Sequence, residues 1–218
     1  MKMTYSRRHF VKAAGTGIAL TAIAGETAFA AVPSRGALPM TKEKATFIIN
    51  GKPLVAEYEA RTTLWEVVAV QLGLTGTTRS CNRASCGACS VLVDGTPFYS
   101  CHTLATEASG KKIFTIEGLG DENNLHPLQK IGYMHMAADC GFCTAGWSVT
   151  AKALLDKNTN PTRDEVKKAL AGHICRCSAY SGIIRTVVDA GKVLRNPLTK
   201  IEATPESVIQ IKQPMVRN

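Results

Sequence analysis

Short apolar runs bounded by turn residues mark the first half of this chain, and apolar positions at helical spacing mark the second. Residues 45–49 and 54–58 read as strands flanking Asn50-Gly51, a dipeptide suited to a two-residue hairpin turn. Thr63-x-x-Glu66 makes a capping box ahead of Leu64, Val67, Val68 and Leu72, which predicts a helix over 63–72 ended by Gly73. Residues 90–93 read as a further strand, Asp94-Gly95 as a turn, 98–101 as the returning strand and 112–116 as another. From about residue 121 the pattern changes. Pro127 suits the first turn of a helix running to about 138, and 144–155 reads as a second. Thr162-x-x-Glu165 is another capping box, opening a helix to about 171 that Gly172 ends. Apolar residues at 183, 184, 187, 188 and 194 line one face of a last helix. Four helices with short connections predict a small antiparallel bundle.

The two ends differ from both halves. The chain opens with Ser6-Arg7-Arg8-His9-Phe10-Val11-Lys12, continues with a weakly apolar stretch over 13–25, and reaches Ala28-Phe29-Ala30. An arginine pair in that setting, followed by a small-x-small site, reads as a twin-arginine export signal over 1–30, cut after Ala30. The apolar stretch falls short of the 20 or so residues that a bilayer span requires, so no span is expected after processing. That route delivers folded proteins, typically loaded with a cofactor, and a periplasmic location is expected. Residues 31–43, with Pro33, Gly36 and Pro39, read as a flexible linker. Residues 196–218, with Pro197, Pro205 and Pro214, read as a tail that wraps over a partner or stays mobile. Between them lie two expected domains, 44–120 and 121–195.

All eight cysteines fall into two groups. Cys81, Cys86, Cys89 and Cys101 read C-x4-C-x2-C-x11-C, opening with the spacing that plant-type ferredoxins use for a [2Fe-2S] cluster. Cys140 and Cys143 form a C-x2-C pair, followed after thirty-one residues by the C-x-C pair Cys175 and Cys177. Zinc frameworks show C-x2-C pairs rather than C-x4-C-x2-C, so the first group points to iron. Taken alone, the second group stays open between zinc and iron, and its place beside a ferredoxin loop tips it to iron. In an oxidising compartment four disulfides are the plain alternative, but the C-x2-C and C-x-C spacings would need more distant partners to bridge without strain. Small residues between Cys81 and Cys89 let backbone N–H groups approach the sulfurs, which raises a reduction potential. Cys101, on the returning strand, is expected to close that site. Cys140 and Cys143 are expected at the amino end of a helix whose dipole favours negative charge. The strands, single helix and cysteine loop resemble a β-grasp ferredoxin module. The expected fold is therefore α+β, with an N-terminal β-grasp (plant-type ferredoxin-like) domain followed by a small four-helix bundle domain.

The order of these motifs resembles the small iron-sulfur subunit of the molybdenum hydroxylases, the xanthine oxidase family. The resemblance spans about 44–195 and includes Cys140-Gly141-Phe142-Cys143-Thr144 and Ile174-Cys175-Arg176-Cys177. Ile116-Glu117-Gly118-Leu119-Gly120 and Asn124-Leu125-His126-Pro127 resemble that family's interdomain linker. With its leader, the chain is most similar to the iron-sulfur subunits of periplasmic aldehyde oxidoreductases. The resemblance implies an electron relay. A separate large subunit binds a molybdopterin cofactor and oxidises an aldehyde or heteroaromatic C–H bond. Electrons then leave singly through the cluster of Cys140, Cys143, Cys175 and Cys177, and next through that of Cys81, Cys86, Cys89 and Cys101. The acceptor is an FAD-binding subunit, a c-type cytochrome or a quinone-linked partner, and this chain turns over no substrate by itself. Asp139 stands where the family carries a Gln that approaches the pterin. Ser80-Cys81-Asn82-Arg83-Ala84 replaces Gly-Cys-Asp/Glu-x-Gly, a lost carboxylate and a gained cation that predict a raised potential for the first cluster. Thr144-Ala145-Gly146 and Ser178-Ala179-Tyr180 are milder departures.

Charge adds little to this picture. Of the formal +9, about +3 lies in residues 1–31, and two oxidised clusters at about −2 each would bring the mature chain near +2. No Lys/Arg run with interleaved aromatics appears, so no nucleic-acid partner is expected. His102 and His173 neighbour ligand positions but lack the paired spacing of a Rieske site. Trp65 and Trp147 read as packing residues, and Met134 and Met136 as core or interface filler. Arg176 either tunes a cluster, meets the large subunit or caps a helix end. The competing readings are a stand-alone periplasmic two-cluster ferredoxin and a disulfide- or zinc-stabilised module without a redox role.

Overall fold

Two tight turns organise the sheet. Asn50 (φ 49°) and Gly51 (φ 79°) are both left-handed, as are Asp94 (φ 48°) and Gly95 (φ 77°), the turn geometry whose twist matches that of its flanking strands. A computed structural model describes residues 41–121 and 123–201. The expected export signal, most of the linker and the tail beyond 201 lie outside the described residues. The first turn joins β1 (Lys42–Ile49) to β2 (Lys52–Glu59), and the second joins β3 (Ser90–Val93) to β4 (Thr96–Tyr99), both pairs antiparallel. β5 (Lys112–Phe114) enters between them, parallel to β1 and antiparallel to β3, giving the order β2-β1-β5-β3-β4. The Asn50 side chain ties its turn to the end of β5, accepting from the Thr115 N–H and donating to Thr115 Oγ1, each at 2.9 Å.

The Thr63 capping box forms, with Glu66 accepting from Thr63 N (2.8 Å) and Oγ1 (2.9 Å). The helix it opens, α1 (Glu66–Gln71), is shorter than the expected 63–72 and is wound in wide π turns. α2 (Ala105–Ala108) is a single turn that no sequence signal announces, because its buried residues, Ala105 and Ala108, are too small to stand out as a periodic apolar stripe. β4 stops at Tyr99, so Cys101 lies two residues past the returning strand rather than on it. A 3-10 turn over Ile116–Gly118 takes the end of the stretch expected as strand 112–116. Phe47, Ile49, Leu64, Val67, Val68, Val91 and Val93 pack into a core with α2 and β5.

All four residues of β3 are buried because its second face is covered as well. There Leu92 meets Val149 and Ala153 of α4 (Thr144–Lys157). Each fully buried Val or Leu of this kind contributes roughly 1.5–3 kcal/mol. α4 gives its other side to a second core of Leu128, Ile131, Trp147, Leu155, Val166 and Val187. That core also unites α3 (Pro127–Met134), α5 (Arg163–Ala169) and α6 (Tyr180–Arg195). Pro127 occupies the first turn of α3, and Thr162 caps α5 as its pattern predicts. α3 ends four residues short of expectation, just before Met136 turns left-handed (φ 54°). The end of α3 is pinned to α6 by buried His135, whose Nε2 lies 2.8 Å from Asp189 Oδ2. Among the described residues no helix is long and apolar enough to cross a membrane.

Candidate metal centres

The first site is one loop. Asn82 (φ 54°), Ala84 (φ 55°) and Gly87 (φ 73°) are left-handed, and this alternation turns successive N–H groups towards one centre. The N–H groups of Arg83 and Ser85, the latter 3.4 Å from the sulfur, bring the half-buried Cys81 thiol down to about 7. Cys86, Cys89 and Cys101 are buried. Ser100 Oγ donates to Cys89 O at 2.7 Å, fastening the residue before Cys101 to the loop. Burial pushes the Cys89 thiol up to about 12. Hydrogen-bonding contacts between thiols pair Cys81 with Cys86 and Cys89 with Cys101.

The second site is built where two helices begin. Cys143 is the N-cap residue of α4, in line with the expected helix end, and Cys175 and Cys177 lie just ahead of α6. α6 begins at Tyr180, three residues before its first patterned apolar position, which brings its amino end to these cysteines. Neither helix has a side-chain cap there. Two uncapped, electropositive helix ends therefore face the sulfurs, each favouring negative charge by about 0.3–1 kcal/mol. The Phe142 N–H holds the exposed Cys140 thiol below its usual range, while burial pushes Cys143 up to about 12. The Cys140 N–H favours the Cys177 thiolate, but the Cys140 side chain, partial desolvation and the Asp139 carboxylate outweigh it and push that thiol up. Thiol contacts pair Cys140 with Cys177 and Cys143 with Cys175. Open space of about 310 Å³, also lined by Trp147, His173 and Tyr180, adjoins Cys143 and Cys175.

At both sites the thiols stand as two pairs. Among the described residues no three His, Cys, Asp or Glu side chains gather as one metal ion would require, and all eight thiols are free. Two pairs suit a two-iron cluster in which each iron takes two thiolates.

The sites also touch each other through residues that motif spacing leaves unmarked. Ile174 N donates to Cys86 O at 3.0 Å, and Thr78 Oγ1 donates to Phe142 O at 2.8 Å. Gly146 of α4 lies against the Gly87 and Ala88 backbone, where an added Cβ would stand 2.9 Å from Ala88 O and nearer still to Gly87 O. His173 packs over Gly87 with its Nε2 2.9 Å from Thr150 Oγ1, while His102 is exposed. Trp147 is a core residue of the helical part, 2% exposed. Trp65 donates from Nε1 to Thr77 O at 2.8 Å. Arg176 is exposed and makes neither an ion pair nor a helix-capping bond among the described residues.

A β-grasp sheet and a helical part, each presenting four paired thiols, define a two-site iron-sulfur protein. Residues 47–113 match the family described as the 2Fe-2S iron-sulfur cluster binding domain, and 115–188 match the [2Fe-2S] binding domain. The aldehyde oxidoreductase iron-sulfur-binding subunit PaoA of Escherichia coli O157:H7 is 35% identical over 210 residues, covering 89% of this chain and 91% of that one. The aldehyde oxidoreductase of Megalodesulfovibrio gigas is 40% identical over 169 residues; the match takes in 76% of this chain but only 18% of that longer protein. In the crystal structure of quinoline 2-oxidoreductase from Pseudomonas putida 86, one chain is similar at a TM-score of 0.68 and 40% identity, over 72% of this chain and 99% of its own. The chain belongs to the iron-sulfur subunits of the molybdenum hydroxylase family, and so to an oxidoreductase complex.

Proposed function

We propose that this chain relays electrons one at a time from a large molybdopterin-bearing partner, which oxidises aldehydes, to a flavin subunit, a cytochrome or another acceptor. Cys81, Cys86, Cys89 and Cys101 hold one [2Fe-2S] cluster, and Cys140, Cys143, Cys175 and Cys177 hold the other. When bound, the clusters supply one-electron redox chemistry. The observation that carries this reading is the two-by-two pairing of thiols at both sites. The hydrogen bond from Ile174 to Cys86 supports it, because Ile174 is bonded to Cys175 and only a few covalent bonds separate either sulfur from that contact. The helical site is the entry side. Phe142 (49% exposed), Ile174 (56%) and Tyr180 (43%) surround its cysteines with apolar surface of the kind that a lasting interface covers. Asp139, exposed beside Cys177, takes the position that faces the pterin.

Two relatives named for aldehydes support that substrate class, while the quinoline enzyme supports a heteroaromatic one as the second reading. Residues 1–30 are a twin-arginine leader that exports the folded chain to the periplasm, 31–43 a linker, 44–120 and 121–195 the two cluster domains, and 196–218 a carboxyl-terminal tail. Anaerobic purification from the native source tests the whole reading. A large pterin-binding chain should co-purify, with about four iron and four sulfide per small subunit and visible absorption that dithionite bleaches. Colourless protein with its thiols joined to one another would sink the proposal, whereas two clusters in a chain that purifies alone would make it a free ferredoxin. Amino-terminal sequencing of periplasmic material should begin at Ala31, and replacing Arg7 and Arg8 by Lys should keep the chain in the cytoplasm.

A further inference from the structure

Acids and bases around the first site are unevenly committed. Between Glu66 and Asp94 the only charged side chains are Arg79 and Arg83, and both are exposed. Arg79 is held in place, its guanidinium 3.8 Å from the centre of the Trp65 ring. Arg83 belongs to the cysteine loop itself, with its N–H directed at Cys81 and its guanidinium in no ion pair among the described residues. Glu59 and Glu66 line one hollow with Arg61 and Arg79, two acids against two bases, which leaves Arg83 as the unbalanced charge. Glu59 accepts from Arg61 at 3.0 Å, Glu66 from Thr63 at 2.8 Å and Glu107 from the Leu104 N–H at 3.4 Å. The other exposed side chains between Cys81 and Cys86, Asn82 and Ser85, are uncharged. Along the cysteine loop a visiting molecule meets Arg83 and no carboxylate, whereas at the second site it meets Phe142, Ile174 and Tyr180.

We infer that the rim of the first cysteine site is a docking face for a separate electron-carrier protein whose own docking face is rich in carboxylates. The inference rests on the proposed electron exit at this site. Charge-guided docking speeds encounter without demanding tight binding, which suits a carrier that must leave after each electron. A lasting contact would favour the apolar surface found at the other site.

The test uses the full-length chain loaded with iron and sulfide, reduced with dithionite and freed of excess reductant. It is mixed in stopped flow with ferricyanide or with tris(phenanthroline)cobalt(III). In either reaction one electron leaves the protein and lowers the oxidant by one charge unit, with no bond made or broken. At low ionic strength ferricyanide should react faster than the cobalt cation, and its rate should fall as salt is added. Replacing both arginines (Arg79→Glu with Arg83→Glu) should slow ferricyanide about tenfold and speed the cation. Lys157→Glu, at the carboxyl end of α4, should leave both rates unchanged, which separates the local rim from the overall net charge. The salt dependence is read on the unsubstituted chain, so a variant that fails to fold does not shield the inference. Rates blind to charge, or a faster reaction with the cobalt cation, overturn the docking face even when visible absorption upholds two clusters. Absence of that absorption overturns both. Arginine-dependent binding to phosphatidylglycerol vesicles, in place of the oxidant preference, also overturns it and gives the rim to a membrane surface.

Discussion

The two cysteine sites meet one chemical demand by different means. Each combines a more exposed thiol lowered by backbone N–H groups, Cys81 or Cys140, with a buried thiol pushed up to about 12, Cys89 or Cys143. At the first site the N–H groups come from one loop made tight by left-handed residues. At the second, the amino ends of α4 and α6 converge on the sulfurs from separate parts of the chain. Their rims diverge as well, polar and basic at the first, apolar at the second. A local loop leaves its outer surface free to carry charge, whereas a site built from helix ends borrows its surroundings from the apolar core behind them.

Removing one thiol is the hardest test of this division. Cys175→Ser should empty the helical site and spare the loop site, taking iron from about four to about two per chain, with one of two electron paramagnetic resonance signals lost. Loss of both signals would show that the loop site does not stand by itself. In the cluster-free chain at pH 8, iodoacetamide should label Cys81 at least about a hundredfold faster than Cys89, because thiolate is the reactive form and the two ionise near 7 and 12. Labelling of Cys81 should fall to half its plateau as the pH drops to about 7, and mass spectrometry would detect equal labelling if the loop amides did not act on it.

Gly146→Val pushes a side chain into the Gly87 and Ala88 carbonyls and should lower stability by about 1–3 kcal/mol in denaturant melts. An unchanged melt would mean that the two sites do not lean on each other. Arg83→Gly should lower the midpoint of the first site alone by about 20–45 mV, the one-electron equivalent of about 0.5–1 kcal/mol from an exposed charge. A redox titration that gives the same or a higher midpoint removes the loop charge from the comparison. Smallest of all, Ala84→Gly relieves a left-handed non-glycine residue and should raise stability by up to about 1 kcal/mol, read as a modest gain in thermal midpoint.

Features made by neighbours along the chain are legible from residue order. Asn50-Gly51 and Asp94-Gly95 form the turns their chemistry favours, and Thr63 and Thr162 cap their helices with the Glu three residues on. The first cysteine loop is readable for the same reason, since sulfurs and amide donors share nine residues. Less is readable where contacts span the chain. The choice between zinc and iron at the second site stays open on spacing alone, because pairing Cys140 with Cys177 and Cys143 with Cys175 requires two helices to meet. The start of α6 escapes the pattern because Tyr180 and its neighbours carry no apolar stripe. Cys101 falls beyond β4 rather than on it because apolar patterning does not show where pairing stops.

By itself, then, the order of residues determined the turns, the caps and the grouping of eight thiols along the chain, features that neighbouring residues define. Folding alone decided that β5 slips between two hairpins, that α4 is buried on both sides, and that Ile174 reaches Cys86. Those outcomes depend on burying apolar area and satisfying backbone groups across the whole molecule, and no short stretch of chain contains that information.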